Sequence, residues 1–409
     1  MKINAIIAEY NPLHKGHIYQ MEDAKKNTGA DYTIVLMSGN YVQRGAPAIM
    51  DKHTRAEMAL QAGADMVLEL PPHFSCSSAE YFANGSVAIL KRIGVIDYLC
   101  FGSECGDLDT LHLIATILAD ESKEYQTILQ QGLANGKSFP QARNDALFQV
   151  EPSLLTMPDY LTSPNNILAI EYLKAMRKQG AAYKPYTTLR TGSNYHSSQF
   201  DTSFASAKAI REAIYSDADK SLLTDKIPSE TQELFKHYFN TYRHITNNDF
   251  SDILYYILLS HSENGFSQFA DVSSDLSNRI QNTLSMYKDF DSYCNLLKSK
   301  ELTYTRISRC LMHIMLGIRK TDFANPYSDL SYVRVLGFRK SALPLLKEID
   351  QKTSLKLITK VADAKNLLSP KALTSFEHHL RMDTLYYYIQ GKKANRTPQN
   401  EYTIPICIQ

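Results

Sequence analysis

The chain opens with a short apolar run, Ile3 to Ala8, then a polar loop, then a stretch whose apolar residues recur at helical spacing. That unit repeats. Further apolar runs lie at Tyr32 to Met37, Met66 to Leu70, Tyr98 to Phe101 and Tyr183 to Leu189, with helical patterns starting near Gly16, Lys52, Ala79, Leu108 and Asn166. Short apolar runs alternating with amphipathic stretches predict parallel strands joined by crossover helices, in the order β-α-β-α-β-α-β-α-β. Loops that follow the strands of such a sheet gather at its carboxyl edge, where ligands bind. Candidate chemistry is therefore sought directly after each run.

Residues 120–160 break the rhythm with a polar helical insertion, Tyr125 to Phe148, closed by Pro152 and Pro158. Beyond residue 215 the strand signals fade, and Leu, Ile and Tyr recur at helical spacing, as in Ile253, Leu254, Ile257 and Leu258, and in Ile307, Leu311 and Ile314. The expected fold class is α/β, with a Rossmann-like parallel sheet over 1–215 and a mainly α-helical domain over 216–409. The Tyr386-Tyr387-Tyr388 cluster reads as helix packing, with base stacking as the alternative.

Composition narrows the class. The chain has 409 residues, 44% of them hydrophobic and 21% charged, which suits two or three globular domains and excludes a disordered or collagen-like chain. No window offers the roughly 18 apolar residues of a membrane span, and no signal-peptide pattern opens the chain, so a cytoplasmic location is expected. The six cysteines form no C-x-x-C pair and read as reduced, buried thiols. Net charge is +1, yet residues 281–409 hold 20 Lys+Arg against 11 Asp+Glu, while the remainder holds 24 against 32. A basic C-terminal third suits a polyanion or a solvated helical surface.

The first candidate site follows the first run: Glu9-Tyr10-Asn11-Pro12-Leu13-His14-Lys15-Gly16-His17, an H-x-G-H pattern at the expected start of the first helix. Two imidazoles there can hydrogen-bond a polyphosphate, the glycine admits close approach, and free amides at a helix start add positive potential. Histidines at a helix start also simply cap or pack. A second pattern comes after the last run, in Ser203-Phe204-Ala205-Ser206-Ala207-Lys208-Ala209-Ile210-Arg211. Ser206 can cap that helix and bond a phosphate oxygen, and Arg211 can reach a departing pyrophosphate; alone, the pair reads as an N-cap and a surface arginine.

The Ser38 to Pro47 loop carries Gln43 and Arg44, the latter suited to a carboxylate, to a phosphate or to solvent, and Lys52 and Arg55 open the next helix as weaker RNA contacts. No P-loop and no G-x-G-x-x-G motif occurs. His378-His379 reads as a surface pair, Cys100 and Cys105 lack the zinc-deaminase signature, and Asp65 and Glu69 form no convincing acid/base pair. No dedicated metal site is expected.

Together the two phosphate patterns resemble the HIGH-type nucleotidyltransferase superfamily. The stretches Ile6 to His17, Met37 to Gly45, Asp51 to Ala56 and Ser163 to Leu168 narrow the likeness to the bacterial tRNA(Met) cytidine acetate ligase family. The resemblance implies that acetate attacks ATP to give acetyl-adenylate and pyrophosphate. The acetyl group then passes to the N4 amine of the wobble cytidine of elongator tRNA(Met), giving N(4)-acetylcytidine. It also implies catalytic roles for His14, His17, Arg211 and Ser206, which would neutralise and align the phosphates. ATP binding is implied for Ile7, Ala8, Glu9, Tyr10, Asn11, Pro12, Leu13, His14, Lys15, Gly16, His17, Gln20, Gly102, Asn165, Asn166 and Arg190. Gln43, Arg44 and Lys52 are implied for acetate or tRNA, and Mg2+ is expected to arrive with ATP. A small-molecule nucleotidyltransferase adenylylating a phosphate monoester, and an RNA-binding scaffold, are the alternatives.

Overall fold

The computed structural model describes residues 1–190, 205–216, 223, 225–323 and 330–409. The expected strands form: β1 (Ile3–Ala8), β2 (Tyr32–Ser38), then a small hairpin of β3 (Tyr41–Val42) and β4 (Ala46–Pro47), then β5 (Met66–Leu70), β6 (Tyr98–Ser103) and β7 (Lys184–Leu189). Between them run α1 (Lys15–Thr28), α2 (Lys52–Gln61), α3 (Ala79–Ile93), α4 (Leu108–Asp120) and α7 (Pro164–Gln179). The insertion is a helical hairpin, α5 (Lys123–Ala134) and α6 (Phe139–Val150).

Strands β5, β2, β1, β6 and β7 lie side by side in that order and all run parallel. The chain winds outward from β1 through β2 to β5, then returns to the other side of β1 for β6 and β7. Strand order therefore reverses between β1 and β6, and the crevice beyond their carboxyl ends is where such sheets take ligands. Both faces are covered, which is why the strands read as nearly continuous apolar runs. Ala5, Leu36, Leu68 and Leu99 face α3, α4 and α7. Ile6, Val35, Val67 and Cys100 face α1, α2, α8 (Ala207–Tyr215) and α9 (Gln232–Thr241).

The helices α10 (Ser251–His261), α11 (Ser274–Thr283), α12 (Phe290–Leu297) and α13 (Tyr304–Leu316) follow, then α14 (Leu343–Lys352) and α15 (Pro370–Ala394). Helices α10 to α13 and α15 share one core around Leu254, Ile280, Tyr293 and Leu311. Tyr386 and Tyr387 are fully buried in it, whereas Tyr388 is exposed. All six cysteines are free and four are buried.

The sheet does not stop at residue 215. Strand β8 (Tyr332–Phe338), buried along its whole length, pairs antiparallel with β5, and β9 (Lys356–Ile358) and β10 (Cys407–Ile408) pair with β8. The region 216–409 is mainly helical as expected, and these strands are hidden in it because Arg334 breaks the apolar run of β8 while β9 and β10 are only three and two residues long. The charge of Arg334 is tolerated at that depth because three carboxylates meet it. Among the described residues no helix is long and apolar enough to cross a membrane.

Candidate active site

The β1 strand ends at Ala8, and the chain turns through Tyr10, whose φ is 46°, and a cis Asn11-Pro12 bond to reach α1. His14 is the N-cap of α1. Its Nδ1 accepts the Gly16 N–H at 3.1 Å, while the Nδ1 of His17 accepts the His14 N–H at 3.2 Å. This is a capping box built from two imidazoles, and it explains the spacing of H-x-G-H locally. It also fixes the tautomers. A ring nitrogen that accepts a backbone N–H carries no proton, so each proton sits on Nε2, the atom left to donate to a ligand.

The two rings stack with centroids 3.7 Å apart, and Tyr10 packs edge-on to His17 at 4.8 Å. Burial, reinforced by Arg190 and Arg211, pulls His14 down to about 3. Burial, then His14 and Arg190, holds His17 well below the usual imidazole range. Both are neutral at pH 7. Neutral rings leave each Nε2–H as a free hydrogen-bond donor, while Arg190 and Arg211 bring the positive charge to this edge.

Arg211, on α8, donates from Nη1 to the Asn11 carbonyl at 2.7 Å, so it is tied to the loop it serves. Arg190 follows β7 and accompanies β6: its N–H donates to the Ser103 carbonyl at 2.9 Å, and its stem lies over Gly102, where a Cβ would fall 3.2 Å from Arg190 Cγ. Arg44 lies within electrostatic reach of Glu9 and Arg211. The two expected patterns are thus brought together at the carboxyl edge, with Arg190 and Arg44 beside them. Ser206 caps α8, accepting the Ala209 N–H at 3.2 Å, and its hydroxyl proton remains available to donate. Ser203 and Phe204 lie outside the described residues.

Several expected ATP contacts have other work. Tyr10, Asn11, Pro12 and Leu13 are buried, so Tyr10 and Leu13 belong to the core under α1, and Asn11 Oδ1 accepts the Ile49 N–H at 2.9 Å. Ile7, Ala8, Gly16 and Gln20 are half-buried, Ile7 and Ala8 packing against the cores on either face of the sheet, and Lys15 is exposed. Asn166 is buried, and its Oδ1 accepts the N–H groups of Glu104 and Cys105 at 2.9 and 3.2 Å. Asn165 donates from Nδ2 to Glu104 Oε1 at 2.6 Å. Both asparagines therefore clamp the loop after β6 to the start of α7. Glu104 is the residue that sequence reasoning missed there, although its place two residues beyond Gly102 at a strand end was the available signal.

Lys52 is a correction. Expected at an acetate or tRNA surface, it is instead fully buried, bonding Glu69 Oε1 at 2.8 Å, Glu401 Oε1 at 3.0 Å and Asp383 Oδ2. Arg55 is likewise no RNA contact: it is buried and donates to the carbonyls of Glu9, Ser38, Gly39 and Met50, tying the ends of β1 and β2. His378 and His379 are half-buried and hydrogen-bonded rather than a surface pair.

The 38–48 loop is held from the helical side. Asn40 Nδ2 donates to Asp383 Oδ1 at 2.8 Å, Tyr41 Oη to the Met382 carbonyl at 3.0 Å, Ser308 Oγ to the Gly45 carbonyl at 2.6 Å and Tyr386 Oη to the Ala48 carbonyl at 2.8 Å. Within it, the Gln43 N–H donates to Glu9 Oε1 at 2.8 Å. Gln43 Nε2 is buried without a partner among the described residues. That orphaned donor sits beside Glu9, in the loop after β1.

A sheet with this strand reversal, an imidazole capping box after its first strand and guanidinium groups around it defines a nucleotidyltransferase of the HIGH type. The family model described as HIGH Nucleotidyl Transferase matches residues 1–401. A tRNA(Met) cytidine acetate ligase of Acetivibrio thermocellus is 36% identical over the full length of both chains, and one of Thermoanaerobacter pseudethanolicus is 41% identical over 90% of this chain and 91% of its own. Thermotoga maritima TmcAL superposes with a TM-score of 0.93 in an apo crystal and 0.91 bound with alpha-thio ATP, at 28% identity, covering 100% of this chain and 99% of that one. The chain belongs to the tRNA(Met) cytidine acetate ligase family.

Proposed function

We propose that this protein activates acetate with ATP and acetylates the wobble cytidine of elongator tRNA(Met). In the first step an acetate oxygen attacks the α-phosphorus, the bond to the bridging oxygen breaks, and pyrophosphate leaves with that electron pair. In the second, the cytidine N4 attacks the acyl carbon, AMP departs and N4 loses a proton, leaving N(4)-acetylcytidine. Acetate is already ionised at pH 7, so the first step requires alignment and charge stabilisation more than a base.

The observation that carries the reading is the His14–His17 box, whose two Nε2–H groups lie beside Arg190 and Arg211 at the strand reversal. The imidazoles donate to α-phosphate oxygens, the guanidinium groups offset charge on the departing pyrophosphate, and the amides opening α1 add positive potential. Gln43 Nε2 and Arg44 are the proposed acetate ligands. Among the described residues no group of three His, Cys, Asp or Glu could hold a metal. Mg2+ is proposed to travel on the phosphates of ATP. The test is pyrophosphate exchange into ATP with and without acetate, followed by acetylcytidine formation in tRNA(Met). Exchange indifferent to acetate would overturn the proposal.

A further inference from the structure

A cavity of about 1090 Å³ opens between α10, α13, α15 and the ends of β5 and β8, lined by none of the residues that make up the nucleotide crevice. It lies on the same edge of the sheet. Pro71 and His73 continue the chain past the carboxyl end of β5, and antiparallel β8 brings its amino end, with Tyr332, to the same place. At about 4.8 Å per strand, β5 and β8 stand roughly 10 and 14 Å from β1 along that edge. About three or four stacked nucleotides cover that distance at roughly 3.4 Å each.

The walls have a definite chemistry. Arg319, Lys371 and Arg381 are exposed at the rim, with Asp322 the acidic residue among the described lining side chains. On the floor His379 Nδ1 meets Tyr332 Oη at 2.6 Å and His379 Nε2 meets His73 Nδ1 at 3.1 Å, which fixes the two stacked imidazoles. Burial, then His378 and His313, brings His73 down to about 3, so its ring is neutral and its face apolar. Flat neutral rings under a cationic rim match a base with its phosphate, the pattern by which proteins take unstacked nucleotides of RNA loops. The volume slightly exceeds the range of about 300–1,000 Å³ typical of small-molecule sites, leaving room for a nucleotide. Met382, whose carbonyl holds Tyr41 of the 38–48 loop, forms part of the wall and links the cavity to that loop.

We infer that this cavity receives a nucleotide of the tRNA anticodon loop near the target cytidine, its base against the His73 and His379 imidazoles and its phosphate between Arg319 and Arg381. The inference rests on the ligase reading above. It makes the cavity a specificity site, apart from the chemistry, that places the wobble cytidine by holding its neighbour.

Two variants of the full-length protein test it: the double substitution Arg319→Ala/Arg381→Ala, and Thr374→Trp, which fills the mouth from an exposed helix position. The double variant should bind tRNA(Met) more weakly and lower the slope of log affinity against log salt by about 0.7, the share of the one phosphate the two arginines hold. The tryptophan should weaken tRNA binding by about 5- to 150-fold, the worth of one stacked base. Acetate-dependent pyrophosphate exchange should be unchanged in both. Unaltered tRNA affinity and salt slope in variants of an enzyme that acetylates tRNA overturns the cavity assignment alone, as does loss of exchange. A wild-type protein that forms acetyl-adenylate but no acetylcytidine overturns the tRNA reading and the cavity assignment together.

Discussion

Replacing Lys52 with methionine tests whether the residue is a ligand contact or a buried counter-charge. Lys52 is fully buried among Glu69, Asp383 and Glu401, with the Arg334 guanidinium beside it, bonding Glu401 at 2.6 Å and reaching Glu69 at 3.5 Å. With every carboxylate ionised the cluster already has one negative charge in excess. Accordingly, burial, together with Glu401 and Glu69, pushes Asp383 up to about 7 against the pull of Lys52 and Arg334. Removing Lys52 leaves three carboxylates facing one guanidinium, and breaking a buried pair from one side costs about 3–5 kcal/mol. That is a large share of the ~5–15 kcal/mol typical of a whole domain. The sign with pH follows. Asp383 is raised above its unfolded value, so the native state binds more protons between roughly pH 4 and 7, and stability conferred by this group falls as pH rises through that window. The Lys52→Met deficit should therefore be smaller at pH 5 than at pH 8. Urea midpoints at the two pH values measure it. A variant as stable as wild type that loses only tRNA affinity would refute the buried role and restore the surface one.

Three further outcomes are expected. His17→Ala should lower acetate-dependent exchange by about 10- to 1,000-fold by removing a preorganised donor; His17→Asn can restore the cap to His14 but not the Nε2–H, so a fully active His17→Asn would defeat the donor assignment. Because His14 and His17 sit far below 6.5, the unfolded chain takes up their protons first. Their share of stability is complete above about pH 6.5 and lost as pH falls toward 3, and His14→Asn should flatten that part of an acid-denaturation profile. Gly45→Ala would place a Cβ 2.3 Å from the Arg309 nitrogen at a φ of 73°, so it should cost about 1–3 kcal/mol and loosen the 38–48 loop. Denaturation midpoints and exchange rate should fall together.

The local devices were legible because each rests on neighbours in sequence. The His14 and His17 box spans three residues, β1 and β5 have the limits their apolar runs mark, and α2 begins at Lys52 because Asp51 caps it by accepting the N–H groups of His53 and Thr54 at 3.0 Å. The convergence of Arg211 on the first loop was inferred from two distant patterns, and the contact with Asn11 crosses 200 positions. What could not be read was whether a polar residue beside a helix start faces water or a partner. Lys52 and Arg55 look like an exposed basic pair because their acceptors lie elsewhere in the chain, as far away as Asp383 and Glu401. The same holds for Asn165 and Asn166, whose partner Glu104 stands about sixty positions earlier.

By itself the sequence determined the parallel sheet, the two histidines at the start of the first helix and the placement of chemistry after strands, since apolar periodicity and helix-start signals act over a few residues. Only the tertiary structure decided that a strand from the 330s completes the sheet, that helices from the C-terminal half grip the 38–48 loop, and that the imidazoles are neutral. Each of these depends on burial and on charges remote in sequence, and desolvation is a property of the packed whole.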